Sequence, residues 1–577
     1  MSVFQPKIFD VFKNYSKEKF TTDLMAGVIV GIVAIPLAIA FGIASGVGPT
    51  EGLVTAIIAG FLISFFGGSK VQIGGPTGAF IVIVYGIIQQ HGLGGLLIAT
   101  IMAGIMLVLM GVFKLGNIIK FVPYPVIVGF TAGIAITIFS TQINDIFGLG
   151  IENPPANFID KWIVYFRHFA QTNPITLGLG ILSIIIIVLM PKISKKIPGS
   201  LVAIILVTIL VWVLDKFAGI TNISTIGDLY TLPTGIPKPQ IPDLGLSGGQ
   251  TVIELIIKLF PAAFTIAMLG AIESLLSAMV ADGIISDKHN SNTELIGQGI
   301  ANIVTPFFGG IPATGAIART MTNINNGGRS PIAGIIHAAT LMLVLLFLGK
   351  LVGYIPMACL AGVLIMVSYN MSGWRSILAL RNMPRSDYAV MWATLILTVI
   401  FDLTIAIEIG LLMAVVLFLK RTSEATSIKI FGSEIDPNVE SDLELHEEKL
   451  QIPEGVTVYE IDGPYFFGVA NKFDEIMNRM AKKPKIRIIR MRRVPFMDST
   501  GLHNLENLCL QSKRQDITII LSGVTEQVRK TLLKANFDKI IPEENICSHI
   551  NIALKKAKEL LAVTADKGEN ITIADNK

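Results

Sequence analysis

The chain has 577 residues, 52% of them hydrophobic and only 15% charged, with a formal net charge of +4 and a mean hydropathy of +0.65. Soluble globular chains carry about 25% charged residues, so these figures exclude an ordinary soluble protein. The small basic excess sits in loops beside apolar runs and gives no case for a nucleic-acid partner. Three cysteines (Cys359, Cys509 and Cys547) make no disulfide framework and read as buried or idle thiols.

Residues 1–20 (MSVFQPKIFDVFKNYSKEKF) lack the basic, apolar, small-residue plan of a cleaved signal peptide and read as a cytosolic lead-in. A transmembrane domain is expected over 21–421, where apolar runs suit a ~30 Å hydrocarbon core, which takes ~20 helical residues. The runs fall near 22–43, 53–67, 78–90, 95–113, 121–144, 174–190, 200–214, 255–281, 294–308, 318–325, 331–349, 352–371, 388–401 and 404–420. That is about fourteen segments, of which the third and tenth are too short to cross alone. Cytoplasmic loops are rich in Lys and Arg. With the N-terminus inside, the basic connections alternate as they should: Lys114 and Lys120, then Lys192, Lys195 and Lys196, then Arg375, Arg381 and Arg385, then Lys420 and Arg421. The opposite loops offset their bases with Asp145, Glu152 and Asp160, and with Asp215, Asp228 and Asp243. The pattern holds only if both short segments are counted. It predicts a multi-pass protein of the inner (plasma) membrane, embedded in the lipid bilayer with both termini cytosolic.

Seven segments precede residue 215 and seven follow 250, so the second half starts from the opposite side and the halves are inverted. Two nearly matching phrases, FFGGSKVQIGGPTGAF (65–80) and FFGGIPATGAIART (307–320), fall at equivalent places, before segments three and ten. Gly74, Gly75 and Pro76, and Pro312 with Gly315, break helices there. Non-helical backbone cannot face lipid, because its amides would go unbonded. It must line a protected cavity, and paired interrupted helices in inverted halves mark substrate sites in many transporters. Helix starts aim free N–H groups and a positive dipole end at such a cavity, which suits an anion. The plainer reading is a chance match of common strings in a Gly- and Ala-rich chain.

Two ionisable residues fall well inside the apolar sequence: Glu273 in segment eight and Arg319 at the start of segment ten. An intramembrane charge is a functional candidate by default. Ser277, four residues after Glu273, shares its helical face. Glu273 could carry a proton or help hold Na⁺; alternatively it forms a purely structural ion pair with Arg319. Phe41 follows Pro36 in segment one and could wall a pocket, or simply pack.

After a linker over 422–439, residues 440–563 alternate strands (456–462, 485–491, 517–523) and helices (471–483, 501–515, 525–535), which argues a small cytosolic α/β domain. In FMDSTGLHNL, one of Asp498, Ser499 and Thr500 caps a helix; the sharper reading is phosphorylation or partner docking at Ser499 or Thr500. Residues 564–577 read as a disordered tail. No phosphate loop, metal-ligand cluster or nucleophile–base motif stands out, so no enzyme, no cofactor and no firm metal site is expected.

The run AMLGAIESLLSAMVADGIISDKHNSNTELIGQGIANIVTPFFGGIPATGAIARTMTNI, with FFGGSKVQIGGPTGAF and FMDSTGL, resembles the SulP family of anion transporters over nearly the whole chain, and the soluble part resembles a STAS domain. The resemblance implies a seven-plus-seven inverted repeat divided into core and gate, with elevator-like alternating access. It implies anion substrates such as sulfate, bicarbonate, chloride, oxalate or dicarboxylates, frequent H⁺ or Na⁺ coupling, and homodimers. Thr77 and Gly78 match one helix start at the family site, Ala318 and Arg319 the other, and Phe41 the flanking aromatic. In this register Thr77 pairs with Ala318, not TGA with TGA. Glu273 matches the acid linked to cation coupling; Glu rather than Asp tilts the expectation to H⁺ symport, with a Na⁺-coupled bicarbonate symporter or an uncoupled exchanger or channel as alternatives. A nucleobase–cation symporter of similar architecture, and a membrane-bound regulator acting through its soluble tail, are the remaining rivals.

Overall fold

The computed structural model describes residues 4–12, 15–117, 123–151, 154–155, 157–193, 198–219, 223–230, 235–240, 252–401, 403–435, 450–469 and 483–574. The expected helix over 471–483 lies outside them except for Lys483. So do 436–449, which span the expected linker end and domain start, and loop residues Lys120, Glu152, Lys195, Lys196 and Asp243. The chain divides into two compact units, Met1–Ala414 and Val415–Lys577.

Each of the fourteen expected segments has a helical counterpart. A short α1 (Lys7–Phe12) precedes α2 (Lys17–Ala44) and α3 (Pro49–Phe66). Helix α2 runs on through Pro36. Segments three and four are the two arms of α4 (Phe80–Val112), which meet at Gly92. Its φ of +67° is a left-handed conformation that glycine adopts without steric cost, so one residue kinks the chain between the arms. Then come α5 (Tyr124–Thr141), α6 (Ile143–Phe147), α7 (Phe158–His168), α8 (Pro174–Ile193), α9 (Gly199–Ala218) and α10 (Ile226–Leu229). The second half holds α11 (Val252–Ile285), α12 (Ser291–Val304), the nine-residue α13 (Ile317–Asn325), α14 (Pro331–Val352), α15 (Met357–Met371), α16 (Trp374–Leu380), α17 (Arg385–Ile400) and α18 (Leu403–Ala425). Among the described residues, nine helices are long and apolar enough to cross a membrane.

The helices sort into two groups, as the core and gate division expects. Helices α2, α3, α4, α11, α12, α13 and α14 pack chiefly on one another, and α5 packs on α17 and α15 while α8 packs on α9 and α15. Small residues permit the closest approaches, since helices in lipid gain by backbone contact rather than by the hydrophobic effect. At the α4–α12 crossing, a Cβ on Gly104 would stand 2.7 Å from the Gly299 carbonyl oxygen, and one on Gly299 would stand 2.6 Å from that of Gly104. No larger residue fits at either position without separating the pair.

Two non-helical crossings lie inside the first group. Strands β1 (Gly74–Gly75) and β2 (Thr314–Gly315) pair antiparallel, Gly74 opposite Gly315 and Gly75 opposite Thr314. Two residues a side leave most of the crossing backbone without a ladder partner, and buried side chains supply the rest. Glu294 of α12 is fully buried. Its Oε2 accepts from the amides of Gly68 (2.8 Å) and Ser69 (3.0 Å), and its Oε1 from the amides of Gln72 (2.9 Å) and Gln298 (2.8 Å). Asn302, two turns further on, bonds both ways to the Ala313 backbone, at 2.8 and 2.9 Å. Thr55 of α3 accepts from the Ile311 amide (2.8 Å), and Asn323 donates to the Val71 carbonyl (2.9 Å).

The second unit carries a five-stranded sheet ordered β3 (Ser427–Phe431), β6 (Val456–Asp462), β7 (Ile486–Arg493), β8 (Thr518–Ser522), β9 (Ile546–Cys547), beside a small β4 (Glu434–Ile435) and β5 (Leu450–Gln451) pair. The first pairing is antiparallel and the others parallel. Alternate residues face opposite sides, as strand geometry requires. Tyr459, Ile461, Ile489, Met491 and Leu521 join α19 (Ser499–Arg514) and α20 (Glu526–Lys534) in one layer. Val458, Ile488 and Ile520 join α21 (Ile550–Ala574) in the other.

One expectation needs correction here. The stretch 422–439 is not simply a linker, because the end of α18 and edge strand β3 occupy 422–431. The three cysteines are free and buried as expected, and burial pushes the Cys509 thiol up to about 12, which leaves it unreactive.

Hydrogen bonds to a charged group contribute about 1.5–3 kcal/mol each, and stranding their buried donors costs more than losing the bonds. Glu294→Ala therefore destabilises the first unit by about 3 kcal/mol or more, read as a fall in the thermal unfolding midpoint of the detergent-solubilised protein. An unchanged midpoint would show that the crossing does not lean on Glu294.

Candidate functional site

Both helix starts leave the β1–β2 ladder, so the antiparallel pairing brings them together. On the first strand Pro76 contributes no N–H, and Thr77, Gly78 and Ala79 form the turn into α4. The Phe80 amide bonds back to the Thr77 carbonyl (3.2 Å) and the Ile81 amide to that of Gly78 (3.2 Å). On the second, Ala316 caps α13 with no side-chain bond, and Ile317, Ala318 and Arg319 make the first turn. First-turn amides have no intrahelical partner.

Strand Gly74–Gly75 of the first copy corresponds to Thr314–Gly315 of the second. The shared TGA therefore follows the strand in the first copy and begins inside it in the second, so the literal match is out of register. The same step carries Thr77 to Ile317, one residue short of Ala318.

Arg319 is 2% exposed, and neither Nη1 nor Nη2 has a hydrogen-bond partner among the described residues. Its guanidinium lies against Gly75, where a Cβ would collide with Nη1. Gly75 also has a φ of +152°, so both the space and the backbone require glycine there. Ala318 is exposed on the first turn beside it. Phe41 is buried and faces the first start: a Cβ on Gly78 would stand 3.5 Å from its Cε1, 3.2 Å from Ile138 Cδ1 and 3.0 Å from Met371 Sδ.

Glu273 is half-buried on α11, and the Thr77 hydroxyl donates to its Oε2 at 2.8 Å. One turn on, the buried Ser277 hydroxyl donates to Thr320 Oγ1 (3.3 Å), which also accepts from the Ile73 amide (3.1 Å). Helix α11 thus bonds to the first crossing at two levels, through Glu273 to Thr77 and through Ser277 and Thr320 to the Ile73 amide. The structural ion pair of Glu273 with Arg319 is not formed: among the described residues no carboxylate lies within 4.0 Å of Arg319.

Ser499 and Thr500 lie in the other unit, exposed in the first turn of α19. Asp498 is the cap there, accepting from the Gly501 amide at 2.7 Å. Among the described residues no group of three or more His, Cys, Asp or Glu could hold a metal ion.

Sequence reasoning missed Glu294 and Asn302. With Gln298 they recur every four residues on one face of segment nine, a polar stripe that an apolar run does not need. That periodicity was the available signal.

The sequence model of the sulfate permease family matches residues 20–394, and that of the STAS domain matches residues 449–553. A putative sulfate transporter of Bacillus subtilis (strain 168), YvdB, is 43% identical over 93% of this chain and 98% of its own. The bicarbonate transporter BicA of Synechocystis sp. is 32% identical over 93% of this chain and 94% of its own. The solved structure of SLC26A9 superposes with a TM-score of 0.83 at 16% identity, covering 98% of this chain and 94% of that one, and shares the fold. The chain belongs to the sulfate permease family and carries a C-terminal STAS domain.

Proposed function

We propose that this chain is a secondary active transporter that carries a small anion across the inner membrane with a proton, by elevator-like alternating access, and that it works as a homodimer. The observation that carries the proposal is Arg319, buried with both Nη atoms unpartnered beside two facing helix starts. A buried guanidinium without a counter-charge is costly, and a visiting anion supplies that charge. Gly78, Ala318 and the first-turn amides around them are the neutral donors of the site. Phe41 closes its apolar side.

Glu273 is the proposed proton carrier. Through Thr77 it reaches the first helix start, so a change in its charge is felt where the anion binds. Sulfate and bicarbonate are the anions the relatives' names suggest; both fit backbone donors and one guanidinium. A Na⁺-coupled bicarbonate symporter is the second reading. It is favoured by the oxygens that Glu273 and Thr77, and one turn on Ser277 and Thr320, bring to α11, since hard cations take oxygen ligands. In the STAS domain, exposed hydroxyls at Ser499 and Thr500 are open to a kinase or a cytosolic partner.

Proteoliposome uptake tests these roles. Glu273→Gln abolishes uptake driven by a pH gradient while exchange of internal for external anion persists. Unchanged driven uptake would remove Glu273 from coupling, and acceleration by a Na⁺ gradient alone would select the second reading. Arg319→Ala weakens anion binding about tenfold or more, the scale of a charge-assisted contact; wild-type affinity would make Arg319 structural. Gly78→Val puts side-chain atoms between Phe41, Ile138 and Met371, and stops uptake without lowering the unfolding midpoint. Normal uptake by this variant would move the anion path away from the first helix start.

A further inference from the structure

A second polar cavity lies apart from the helix starts. Its volume is about 680 Å³, and Tyr85, Gln142, Asp145, Lys161, Tyr165 and Tyr230 are among its lining residues, whereas Thr77, Gly78, Ala318 and Arg319 are not. Ala40, next to Phe41, also faces it, so the cavity reaches the neighbourhood of the first site along α2. Cavities of about 300–1,000 Å³ with a few convergent polar groups are the usual form of a small-ligand site.

Two of its groups are buried without a polar partner among the described residues. Lys161, on α7, is 3% exposed. Among the described residues its ammonium makes no ion pair, and its recorded neighbour is the Tyr85 ring, whose centroid is 5.4 Å away. Tyr165, one turn later, is 1% exposed, and among the described residues its hydroxyl has no hydrogen-bond partner. The Tyr85 hydroxyl is already engaged with the Pro154 carbonyl at 2.8 Å, so that ring is a fixed wall. Burial pushes Lys161 down to about 8, which still leaves it charged at neutral pH. A buried cation and a buried donor turned to one cavity are an expensive arrangement unless something there meets them.

We propose that this cavity is an accessory binding site for a small monovalent oxyanion, held by the Lys161 ammonium and the Tyr165 hydroxyl. The ammonium supplies the charge, the phenol a directional donor, and the Tyr85 face keeps the ammonium from turning away. Asp145 lines the same space from α6, where the Asn144 side-chain amide lies 3.5 Å from its Oδ1. An acid there repels a second negative charge, so a monoanion is favoured over a dianion.

The test is equilibrium binding of radiolabelled bicarbonate, and separately sulfate, to the full-length protein in lipid nanodiscs. The Arg319→Ala background removes the contribution of the first site. In that background bicarbonate still binds, and more tightly than sulfate. Adding Lys161→Met weakens it about tenfold or more, on the scale of a charge-assisted contact, whereas Lys161→Arg retains it. Tyr165→Phe weakens it several-fold with an unchanged unfolding midpoint, and decides the matter if Lys161→Met does not fold. Asp145→Asn narrows the preference for bicarbonate. No bicarbonate binding in the Arg319→Ala background, or equal binding with and without the Lys161 ammonium, would overturn the proposal. Absent uptake with intact binding at Lys161 would instead refute the transport reading and leave this one standing.

Discussion

The backbone of the two crossings is the constraint on which the rest of the first unit depends. Extended chain within a helical membrane protein exposes amides and carbonyls that lipid cannot satisfy, at several kcal/mol each. A ladder of two residues a side meets only part of that demand. The remainder falls to Glu294, Asn302, Thr55, Thr320 and Asn323, drawn from α12, α3 and α13. The group of helices that carries the site is therefore fixed by polar bonds as well as by the close glycine contacts of α4 and α12. On the proposed reading, this frame is the part that moves as one piece.

The same accounting separates Glu294 from the half-buried Glu273. Glu294 accepts from four donors at both oxygens, and its bonding capacity is committed to structure. Glu273 accepts one bond, from Thr77, and is the less fully engaged of the two. A sequence reader meets both as glutamates near apolar runs. The difference is how many donors the fold directs at each, which no local pattern of residues reveals.

Much of the fold was legible because lipid imposes a simple rule on sequence. Run length and the alternation of basic loops gave the fourteen segments, the odd count of seven in each half gave the inversion, and the two glycine–proline breaks fell at equivalent places within it. The repeated TGA was the least reliable cue, since what is repeated is a break in hydrogen bonding rather than a string of letters. Arg319 was legible because an arginine in an apolar run needs a reason. Glu294 was not, because it sits at the first position of its run, where a charge looks like a segment end. Strand β3 was hidden for a related reason: the mixed sequence SIKIF gains its strand partner from Val458–Asp462, about thirty residues away. Lys161 lies on α7, in a connection between spans, where a lysine gives no sign that an aromatic wall will bury it.

The separation of Arg319 from Glu273 bears most directly on mechanism. Had the two formed an ion pair, each would have satisfied the other, and the site would have been neutral and closed to ligands. On the proposed reading, each is instead balanced by something mobile: an anion for the arginine and a cation for the glutamate, so that a site loaded with both is nearer to neutral than a site loaded with either one. Moving a neutral assembly past apolar walls such as Phe41, Ile138 and Met371 avoids the cost of carrying a net charge through them. On the proposed reading, coupling of the anion to its cation then needs no separate latch. It follows from placing two unlike charges close to the same ladder without letting them touch.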